Sequence, residues 1–476
     1  MLCKRIIARL DVKGNKLIKG ISFEGVRVIG EPNKAAKYYA NEGADELLYI
    51  DAVASLYGRN SISNILKIAS NEIFIPITAS GGIRSVADAR ELISSGADKI
   101  SLNTAALKNP KLIKDLVETF GSQCVVISIQ ARKKYGEKYW EAMSEMGREK
   151  SGINVMDWIN EVQELGAGEI LLTSVDKDGT LSNPDYDLIN EAAKITKIPL
   201  IVSGGLTDSS DIGKVLNNDL VSGVALGGCL HYKKQSISFL KEELIKQNHI
   251  VRNHDKEKFL NFINKKPLKN IEIGIINYEM CNQQSLINTL EHLGAKAFLS
   301  RNHNELKKAQ ILALPGVGSF PEGMHNLRKF NLDSFIKSKV LKGKPILGIC
   351  LGMQMLFENS TEFGFTEGLK LIEGNVMILK NNKIKLPHIG WNKIISTKNN
   401  PYNLNNFFQY FVHSYAVYNT IPESIIYECI YEKENFVAGV KKNNIVGLQF
   451  HPERSGLYGM ELITNLIIDL LNNKYY

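Results

Sequence analysis

The chain lacks the features that would place it in a membrane or outside the cell. Its 476 residues contain no apolar run that approaches the roughly 20 residues a membrane-spanning helix needs. The first residues enter a predicted strand and show no signal-peptide pattern. The six cysteines are scattered and form no Cys-x-x-Cys pair, which argues against a disulfide framework or a metal-finger site. We therefore expect a cytoplasmic protein with reduced thiols and no membrane association.

A clustered basic face is also missing. The net charge is +8, but the Lys and Arg residues are interspersed with acids along the whole chain. Nucleic-acid-binding proteins concentrate basic residues and stacking aromatics on one face, so no nucleic-acid partner is predicted. The positive charge suits phosphorylated small molecules instead. No metal or cofactor is indicated.

The length exceeds one ordinary domain, and the pattern of apolar runs changes near residue 253. Eight short apolar runs alternate with amphipathic stretches at roughly 30-residue spacing, which predicts a parallel (β/α)8 barrel over residues 1–252. The polar, lysine-rich stretch 253–270 is predicted to be a linker. A second α/β domain with a mixed sheet is predicted over residues 271–476. The predicted barrel strands are "RIIARLD", "ELLYIDA", "FIPITAS", "DKISLN", "QCVVISIQ", "EILLTS", "IPLIVSG" and "VSGVALGG".

An internal repeat supports the barrel. "GADELLYIDAVAS" recurs as "GAGEILLTSVDKD", and the segment at 75–105 recurs at 198–228. The repeat aligns the first strand, which ends in Asp11, with the fifth strand, which ends in Gln130. An acid in one half of the barrel therefore corresponds to an amide in the other.

The second domain carries a candidate cysteine nucleophile. "GICLGMQ" places Cys350 between two glycines at a predicted strand-to-helix turn, the form of a nucleophile elbow. "QFHPE" supplies His451 as a base and Glu453 to orient it, which completes a Cys-His-Glu triad. "LPGVGSF" provides a glycine-rich turn whose amides can form an oxyanion hole, at Gly316, Val317 and Gly318.

With "LPGVGSF", "GKPILGICLGMQMLFE", "PHIGWN", "FVHSYAVY" and "GLQFHPERSG", this half resembles class I glutamine amidotransferases, and most closely the glutaminase of imidazole glycerol phosphate synthase. The resemblance implies that Cys350 forms a glutamyl thioester and releases ammonia. It further implies that Leu351, Gln354, Ser414 and Tyr415 lie at the oxyanion and glutamine sites. The sequence departs from the family in "NYEMCN", where Glu279 and Cys281 replace glycines.

The ends of the predicted barrel strands carry the polar residues of the first domain, because barrel active sites lie at the carboxyl ends of the strands. Two "SGG" segments follow the third and seventh strands, and their backbone amides can approach phosphates. Two such sites on opposite rims imply a long substrate with two phosphates. The strand-end residues are Asp11, Asp51, Ser80, Gly81, Gly82, Asn103, Thr104, Gln130, Asp176, Asp178, Ser203, Gly204, Gly205, Gly227 and Gly228.

Residues 1–250 resemble the cyclase of imidazole glycerol phosphate synthase in "CKRIIARLDVKGNKLIKG", "GGIRSVADAR", "GADKISLNTAA" and "GAGEILLTSVDKDGT". The resemblance implies that ammonia passes along the barrel axis to a ribulosyl-formimino-carboxamide nucleotide (PRFAR), giving imidazole glycerol phosphate and an aminoimidazole carboxamide ribotide. It adds Lys19 and Gly179 to the substrate site. It also implies a channel gate made of Arg5, Glu46, Lys99 and Glu169.

Several departures keep a second hypothesis open. The family uses aspartates on strands one and five as its acid–base pair, and Gln130 replaces the second; a primary amide cannot exchange a proton as a carboxylate does. Asp176 or Asp178 could take over only with a differently seated substrate. "VASLYGRN" resembles barrels that accompany sugar amidotransferases of surface-glycan synthesis, Ser80 replaces a glycine, and the two domains occur in reversed order.

The first hypothesis is a bifunctional synthase of histidine biosynthesis. The second is a cyclase-impaired paralogue that supplies ammonia to a sugar amidotransferase. A third, a non-enzymatic regulatory pair, conflicts with the intact triad. Under the first two, the partners are L-glutamine and a phosphorylated small molecule. An 18-residue linker permits pairing of the two domains within the chain, and we expect a monomer.

Overall fold

The computed structural model describes residues 2–54, 62–136, 139–280, 282–380, 385–400, 402 and 406–472. Most of the "VASLYGRN" segment and Cys281 lie outside these ranges. The chain divides into two compact units, one of residues 3–256 and one of residues 257–384 and 388–476.

The first unit is a closed barrel of eight parallel strands, as predicted. Each strand pairs with the next, and the last strand returns to the first, with Gly223 opposite Arg5. The strands read as continuous apolar runs because the helices cover one face and the barrel interior covers the other. The strands are Arg5–Lys13, Glu46–Asp51, Ile77–Ser80, Lys99–Leu102, Val125–Lys133, Glu169–Ser174, Leu200–Ser203 and Val221–Leu226.

Several barrel helices begin at a side-chain N-cap where the strand-end loop turns back. The side chains of Ser85, Asp185 and Asp208 each accept a hydrogen bond from a first-turn amide, which satisfies one of the donors left open at a helix start. The helices are Pro32–Asn41, Ser63–Ser70, Val86–Ser94, Thr104–Lys108, Lys111–Phe120, Val155–Glu164, Tyr186–Ile195, Ser209–Leu216, Gly228–His231 and Ile237–Lys246.

Two β-hairpins extend strands one and five above the barrel. The hairpin Lys16–Ile21 with Glu24–Gly30 pairs antiparallel with strand one, and the hairpin Trp140–Ser144 with Glu149–Asn154 pairs with strand five. They follow the two strands that the repeat aligns, so they bring additional side chains to the Asp11 and Gln130 sides of the barrel mouth.

The second unit is an α/β domain with a mixed sheet, as predicted. Its parallel part has the spatial order Lys296–Ser300, Glu272–Ile276, Ile311–Leu314, Ile346–Ile349 and Ile445–Leu448. The sheet continues through the antiparallel strands Glu434–Lys442, Tyr415–Tyr418 and Asn375–Ile378 to the short strands Asn359–Ser360 and Thr366–Glu367, while His388–Ser396, Phe408–His413 and Ile425–Tyr431 pair beside it. The helices are Gln283–His292, His303–Lys308, Phe320–Lys329, Leu332–Val340, Leu351–Met355 and Gly456–Asn472.

The predicted linker is partly structured. Residues Lys256–Asn264 form a helix in which Phe259 is buried. The boundaries at 252 and 270 remain predictions. Within the described part of the chain, no helix has both the length and the apolar content that crossing a bilayer requires.

Candidate active sites

Cys350 occupies a strained turn between strand Ile346–Ile349 and helix Leu351–Met355. Its backbone angles, φ 51° and ψ −110°, are unfavourable for a residue with a side chain. The flanking glycines make this turn possible. A Cβ on Gly352 would lie 1.7 Å from the Leu314 carbonyl oxygen, and one on Gly348 would lie 2.8 Å from Leu356 Cδ1. The strain and the tight packing are the features of a nucleophile elbow.

The structure brings His451 and Glu453 to this cysteine. His451 Nδ1 lies 2.7 Å from Glu453 Oε1, and all three side chains are buried. Burial alone would lower the pKa of His451, but the Glu453 carboxylate and the Cys350 sulfur beside it raise that pKa well above its ordinary value. The imidazole is therefore placed to take and hold a proton from the thiol.

The predicted oxyanion loop lies next to the elbow in a closed arrangement. The Gly316 carbonyl oxygen accepts a hydrogen bond from the Leu351 amide at 3.2 Å. Gly318 has φ 140°, and a Cβ on Gly316 would lie 2.6 Å from Tyr278 Oη. Half-buried Val317 lies between the two glycines. The Leu351 amide is therefore engaged by the loop and not by an oxyanion.

Two of the predicted glutamine-binding residues, Gln354 and Tyr415, are joined by a hydrogen bond. Gln354 Nε2 donates to the Tyr415 carbonyl at 2.8 Å and to Gln449 Oε1 at 3.1 Å. Ser414 is half-buried, and its carbonyl accepts from the Leu379 amide at 3.1 Å. Since the Gln354 amide nitrogen is used within the protein, only its oxygen can face a ligand.

Glu362 was not predicted and is the unexpected acid of this domain. Its Oε2 accepts a hydrogen bond from the Phe320 amide at 2.7 Å. Burial raises the pKa of Glu362 to about 7, and burial together with the charge of Glu362 raises the pKa of Tyr415. No local pattern marks Glu362, because it stands in a polar stretch and its partner lies 42 residues earlier.

In the barrel, Asp11 lies in a network of four buried charges. Asp11 Oδ1 lies 2.9 Å from Arg9 Nε, and Asp11 Oδ2 lies 3.1 Å from Lys19 Nζ. Asp178 binds the same lysine at 2.8 Å and Arg9 at 3.5 Å. Burial would raise the pKa of Asp11, but Arg9 and Lys19 together hold it well below the usual range. The two cations therefore favour the ionised form of Asp11.

Arg9 was not singled out in the sequence, although a signal was present. Arg9 and Asp11 are two residues apart on one strand and so point to the same face. An arginine within an otherwise apolar strand requires buried partners. Its Nη1 also lies 3.3 Å from Ser203 Oγ, which ties the network to the second "SGG" loop.

Gln130 lies on the opposite side of the mouth and makes weaker polar contacts than Asp11. Its Nε2 contacts Met146 Sδ at 3.8 Å, and its Oε1 is buried with no hydrogen-bond partner among the described residues. Met146 belongs to the hairpin above strand five and has φ 57°. Met146 lines the cavity of about 250 Å³ that contains Asp11 and also the cavity of about 220 Å³ that contains Gln130.

The predicted phosphate loops surround cavities of unequal size. The first, of about 220 Å³, is lined by Asp51, Gly81, Gly82, Asn103, Thr104 and Gln130. The second, of about 20 Å³, is lined by Asp178, Gly179, Ser203, Gly204, Gly205, Gly227 and Gly228. Gly81 and Gly204 both have left-handed φ, 108° and 99°, where the chain passes close to the preceding strand. Asp176 lies apart from both cavities, since its Oδ2 accepts from the Lys133 amide at 2.8 Å.

The four predicted gate residues form one closed ring inside the barrel. Arg5 binds Glu46 at 2.9 Å and Glu169 at 2.5 Å, and Lys99 binds both glutamates at 2.7 Å. All four side chains are fully buried. Their charges cancel, which explains how four ionised groups persist without water contact.

Comparisons with known proteins divide the chain at the same place. Residues 5–236 match the family described as Histidine biosynthesis protein, and residues 274–470 match Glutamine amidotransferase class-I. Imidazole glycerol phosphate synthase subunit HisF of Legionella pneumophila is 53% identical over 202 residues, covering 42% of this chain and 95% of that protein. HisF of Lactococcus lactis subsp. lactis is 42% identical over 248 residues, covering 52% of this chain and 96% of that protein. HisF of Methanocaldococcus jannaschii is 41% identical over 260 residues, covering 51% of this chain and 96% of that protein.

Proposed function

Because the chain belongs to the family of imidazole glycerol phosphate synthase subunit HisF and carries a class I glutamine amidotransferase domain, we propose that it hydrolyses glutamine at Cys350 and uses the ammonia at the barrel mouth. The observation that carries the proposal is the buried arrangement of Cys350, His451 and Glu453 at a strained turn. Burial without a chemical role would favour apolar side chains at these positions.

Each side chain of the centre has a defined task in the proposed reaction. The Cys350 sulfur attacks the carboxamide carbon of glutamine, and His451 passes the thiol proton to the departing nitrogen, which leaves as ammonia. Water then cleaves the thioester and releases glutamate. Glu453 stabilises the charged imidazole. The Leu351 amide can stabilise the oxyanion only after its bond to the Gly316 carbonyl breaks.

The ligand's other groups also find partners in this pocket. The Glu362 carboxylate provides a negative charge for the α-ammonium group of glutamine, and binding of that cation would lower the pKa of Glu362 from its raised value. Gln354 offers its amide oxygen, since its nitrogen is held by the Tyr415 carbonyl. Together they select a ligand that carries both an ammonium and a carboxamide.

At the barrel mouth, the two glycine-lined cavities suit a ligand with two phosphates. We propose PRFAR as that ligand, and as the reaction its combination with ammonia to give imidazole glycerol phosphate and an aminoimidazole carboxamide ribotide. Gln130 lines the cavity of about 220 Å³, which supports a position of its amide beside a ligand that spans the mouth.

One observation favours a second candidate. Asp11 is fixed between Arg9 and Lys19, and Gln130 cannot ionise, so neither of the two strand-end positions that the repeat aligns provides a carboxylate free to exchange protons. Under this candidate the barrel passes ammonia to another acceptor, such as a sugar amidotransferase that modifies surface glycans.

Glutamine hydrolysis tests the first step of the proposal. We expect Cys350→Ala to lower glutamate release at least about 10⁴-fold, because no other group in the pocket replaces the nucleophile. The matched control is Cys429→Ala, which removes an equally buried thiol of the same domain and should leave the rate unchanged. Persistent glutaminase activity in Cys350→Ala would refute the triad.

Incubation of the full chain with PRFAR and either glutamine or ammonium separates the two candidates. Formation of imidazole glycerol phosphate, even slowly, supports the synthase reaction. Glutamine hydrolysis with PRFAR left intact supports the second candidate.

A further inference from the structure

Gln449 is a buried amide that contacts the sulfur of the proposed nucleophile. It follows strand Ile445–Leu448, and its side chain is completely inaccessible to solvent. Its Nε2 lies 3.7 Å from Cys350 Sγ, and its Oε1 lies 3.1 Å from Gln354 Nε2. The side chain therefore connects the nucleophile to the glutamine pocket.

The orientation of this amide is fixed by its neighbours. The Tyr415 carbonyl oxygen can only accept, so the Gln354 atom that faces it at 2.8 Å must be the amide nitrogen. The second hydrogen of that nitrogen points to Gln449, which must present its oxygen there. The Gln449 nitrogen, and not its oxygen, is therefore directed at the sulfur.

The same carbonyl fixes the protonation of two buried histidines. His413 Nδ1 lies 2.8 Å from the Tyr415 oxygen and must donate to it, so His413 Nε2 is an acceptor for His388 Nδ1 at 3.0 Å. His388 lies stacked between Phe411 and Tyr431, with ring centroids 4.9 and 4.0 Å away. These neutral rings hold the Tyr415 carbonyl in place, and that carbonyl holds Gln354.

We propose that Gln449 donates a hydrogen bond from Nε2 to the sulfur of Cys350 and favours its thiolate form in the glutaminase reaction. This inference rests on the proposed role of Cys350 as nucleophile. An amide N–H directed at a developing anion stabilises it without gaining or losing a proton. His451 supplies the proton acceptor for the same sulfur, so one partner removes the proton and the other stabilises the charge that remains.

Other groups near the sulfur do not replace this donor. The Val412 carbonyl, 3.9 Å from Cys350 Sγ, can only accept. His413 lies on the same strand as Val412, is neutral, and directs both ring nitrogens to other partners. His451, with Glu453 behind it, is the titratable group that faces the thiol.

Alkylation of Cys350 by iodoacetamide as a function of pH tests the proposal, because only the thiolate reacts. We expect Gln449→Met, which keeps the length and removes the donor, to move the midpoint of the alkylation profile upward by about one pH unit. Glutaminase kcat/KM should fall about tenfold in the same variant. The matched control is Gln409→Met, which alters another buried amide of the domain away from the sulfur and should leave the midpoint unchanged.

The reaction is followed by mass spectrometry of the peptide that contains Cys350 in the full chain. An unchanged midpoint in Gln449→Met would overturn the proposal. If that variant does not fold, Gln449→Leu provides the same comparison. Alkylation needs no glutamine, so its result is independent of the Cys350→Ala test. An unchanged alkylation midpoint in Gln449→Met would refute the role of Gln449 as donor, whereas glutaminase activity in Cys350→Ala would refute the triad.

Discussion

The Cys350 centre and the Asp11 centre are both buried groups of titratable side chains, but their charges are arranged in opposite ways. In the first, one carboxylate supports one imidazole, and the pKa of His451 is raised so that a proton can move between neighbours. In the second, two cations pair with two carboxylates, and Arg9 and Lys19 lower the pKa of Asp11 so that it stays ionised. Burial acts on both, and the number of opposite charges nearby decides whether a group exchanges protons or binds charge.

The two halves of the barrel also differ in the side chains that surround their strand-end residues. Strands one and five each continue into a hairpin, and each ends in a polar side chain at the mouth. The first half surrounds Asp11 with Arg9 and Lys19, whereas the second half surrounds Gln130 with Met146. One half therefore presents a network of paired charges, and the other presents an uncharged amide and thioether.

Within the barrel, the largest effect is expected from restoring an acid to the second half. Gln130→Asp should raise turnover of PRFAR with ammonium by about 10³-fold, equivalent to about 4 kcal/mol of activation free energy, because it adds a positioned acid–base group. Ammonium bypasses the glutaminase, so the rate reports on the barrel alone. Product formation is measured as imidazole glycerol phosphate.

The matched control for this gain is Gln130→Asn, which has nearly the same shape as aspartate but cannot ionise. It should give no increase. Equal rates for the aspartate and asparagine variants, or fast turnover by the unaltered chain, would show that position 130 need not ionise.

Removing Arg9 tests whether the first half is a charge network. Arg9→Met should lower the free energy of unfolding of the barrel by about 3 kcal/mol, because it leaves Asp11 and Asp178 to share Lys19 in a buried site. Hydrogen exchange of the amides in strand Arg5–Lys13 measures this loss within the barrel.

The control for the Arg9 variant is Lys194→Met, which breaks an exposed ion pair with Glu191 and should cost less than about 0.5 kcal/mol. Similar losses in the two variants would show that Arg9 adds no special stability.

The site residues that could be predicted from the sequence are those that lie at the ends of strands. Cys350 and the Asp11–Gln130 pairing follow from apolar runs whose last residue is polar, and parallel strands bring such residues to one edge. The contact of Arg9 with Asp178 and that of Glu362 with Phe320 span 169 and 42 residues, and no local pattern specifies them; only the spacing of Arg9 and Asp11 on one strand was a local signal. Gln449 was missed because a glutamine beside "FHPE" has no chemical signature until its two amide atoms can be told apart.

Asp176 and Asp178 show the same limit for two residues that lie close together in the sequence. Both follow the sixth strand, and their spacing does not indicate which one enters the mouth. The structure turns Asp178 toward Lys19, whereas Asp176 accepts from the Lys133 amide outside the two phosphate cavities. The difference is set by the loop conformation, which includes the left-handed Gly179 five residues after the strand end at Ser174.

The smallest expected effect is a dependence of the stability of the glutaminase domain on pH, which arises from two buried neutral histidines. Burial lowers the pKa of His413 to about 4 and lowers that of His388 well below its ordinary value, whereas an unfolded histidine titrates near about 6.5. Between about pH 6.5 and 4 the unfolded state therefore binds more protons than the folded state. The stability contributed by the neutral rings is complete above about pH 6.5 and falls as pH falls, by up to about 1.4 kcal/mol per pH unit for each proton.

Hydrogen exchange of the amides in strand Phe408–His413, corrected for intrinsic rates, measures this slope in the glutaminase domain alone. His413→Gln should reduce the slope by one proton's share, because it removes one of the two titrating rings while keeping an amide that can donate to the Tyr415 carbonyl. An unchanged slope would mean that His413 is already protonated in the fold. In that case His413 Nε2 would carry a proton and could not accept a hydrogen bond from His388. The direction of the hydrogen bonds from His388 through His413 would then not be fixed, and they would not explain why Gln354 is held in one orientation.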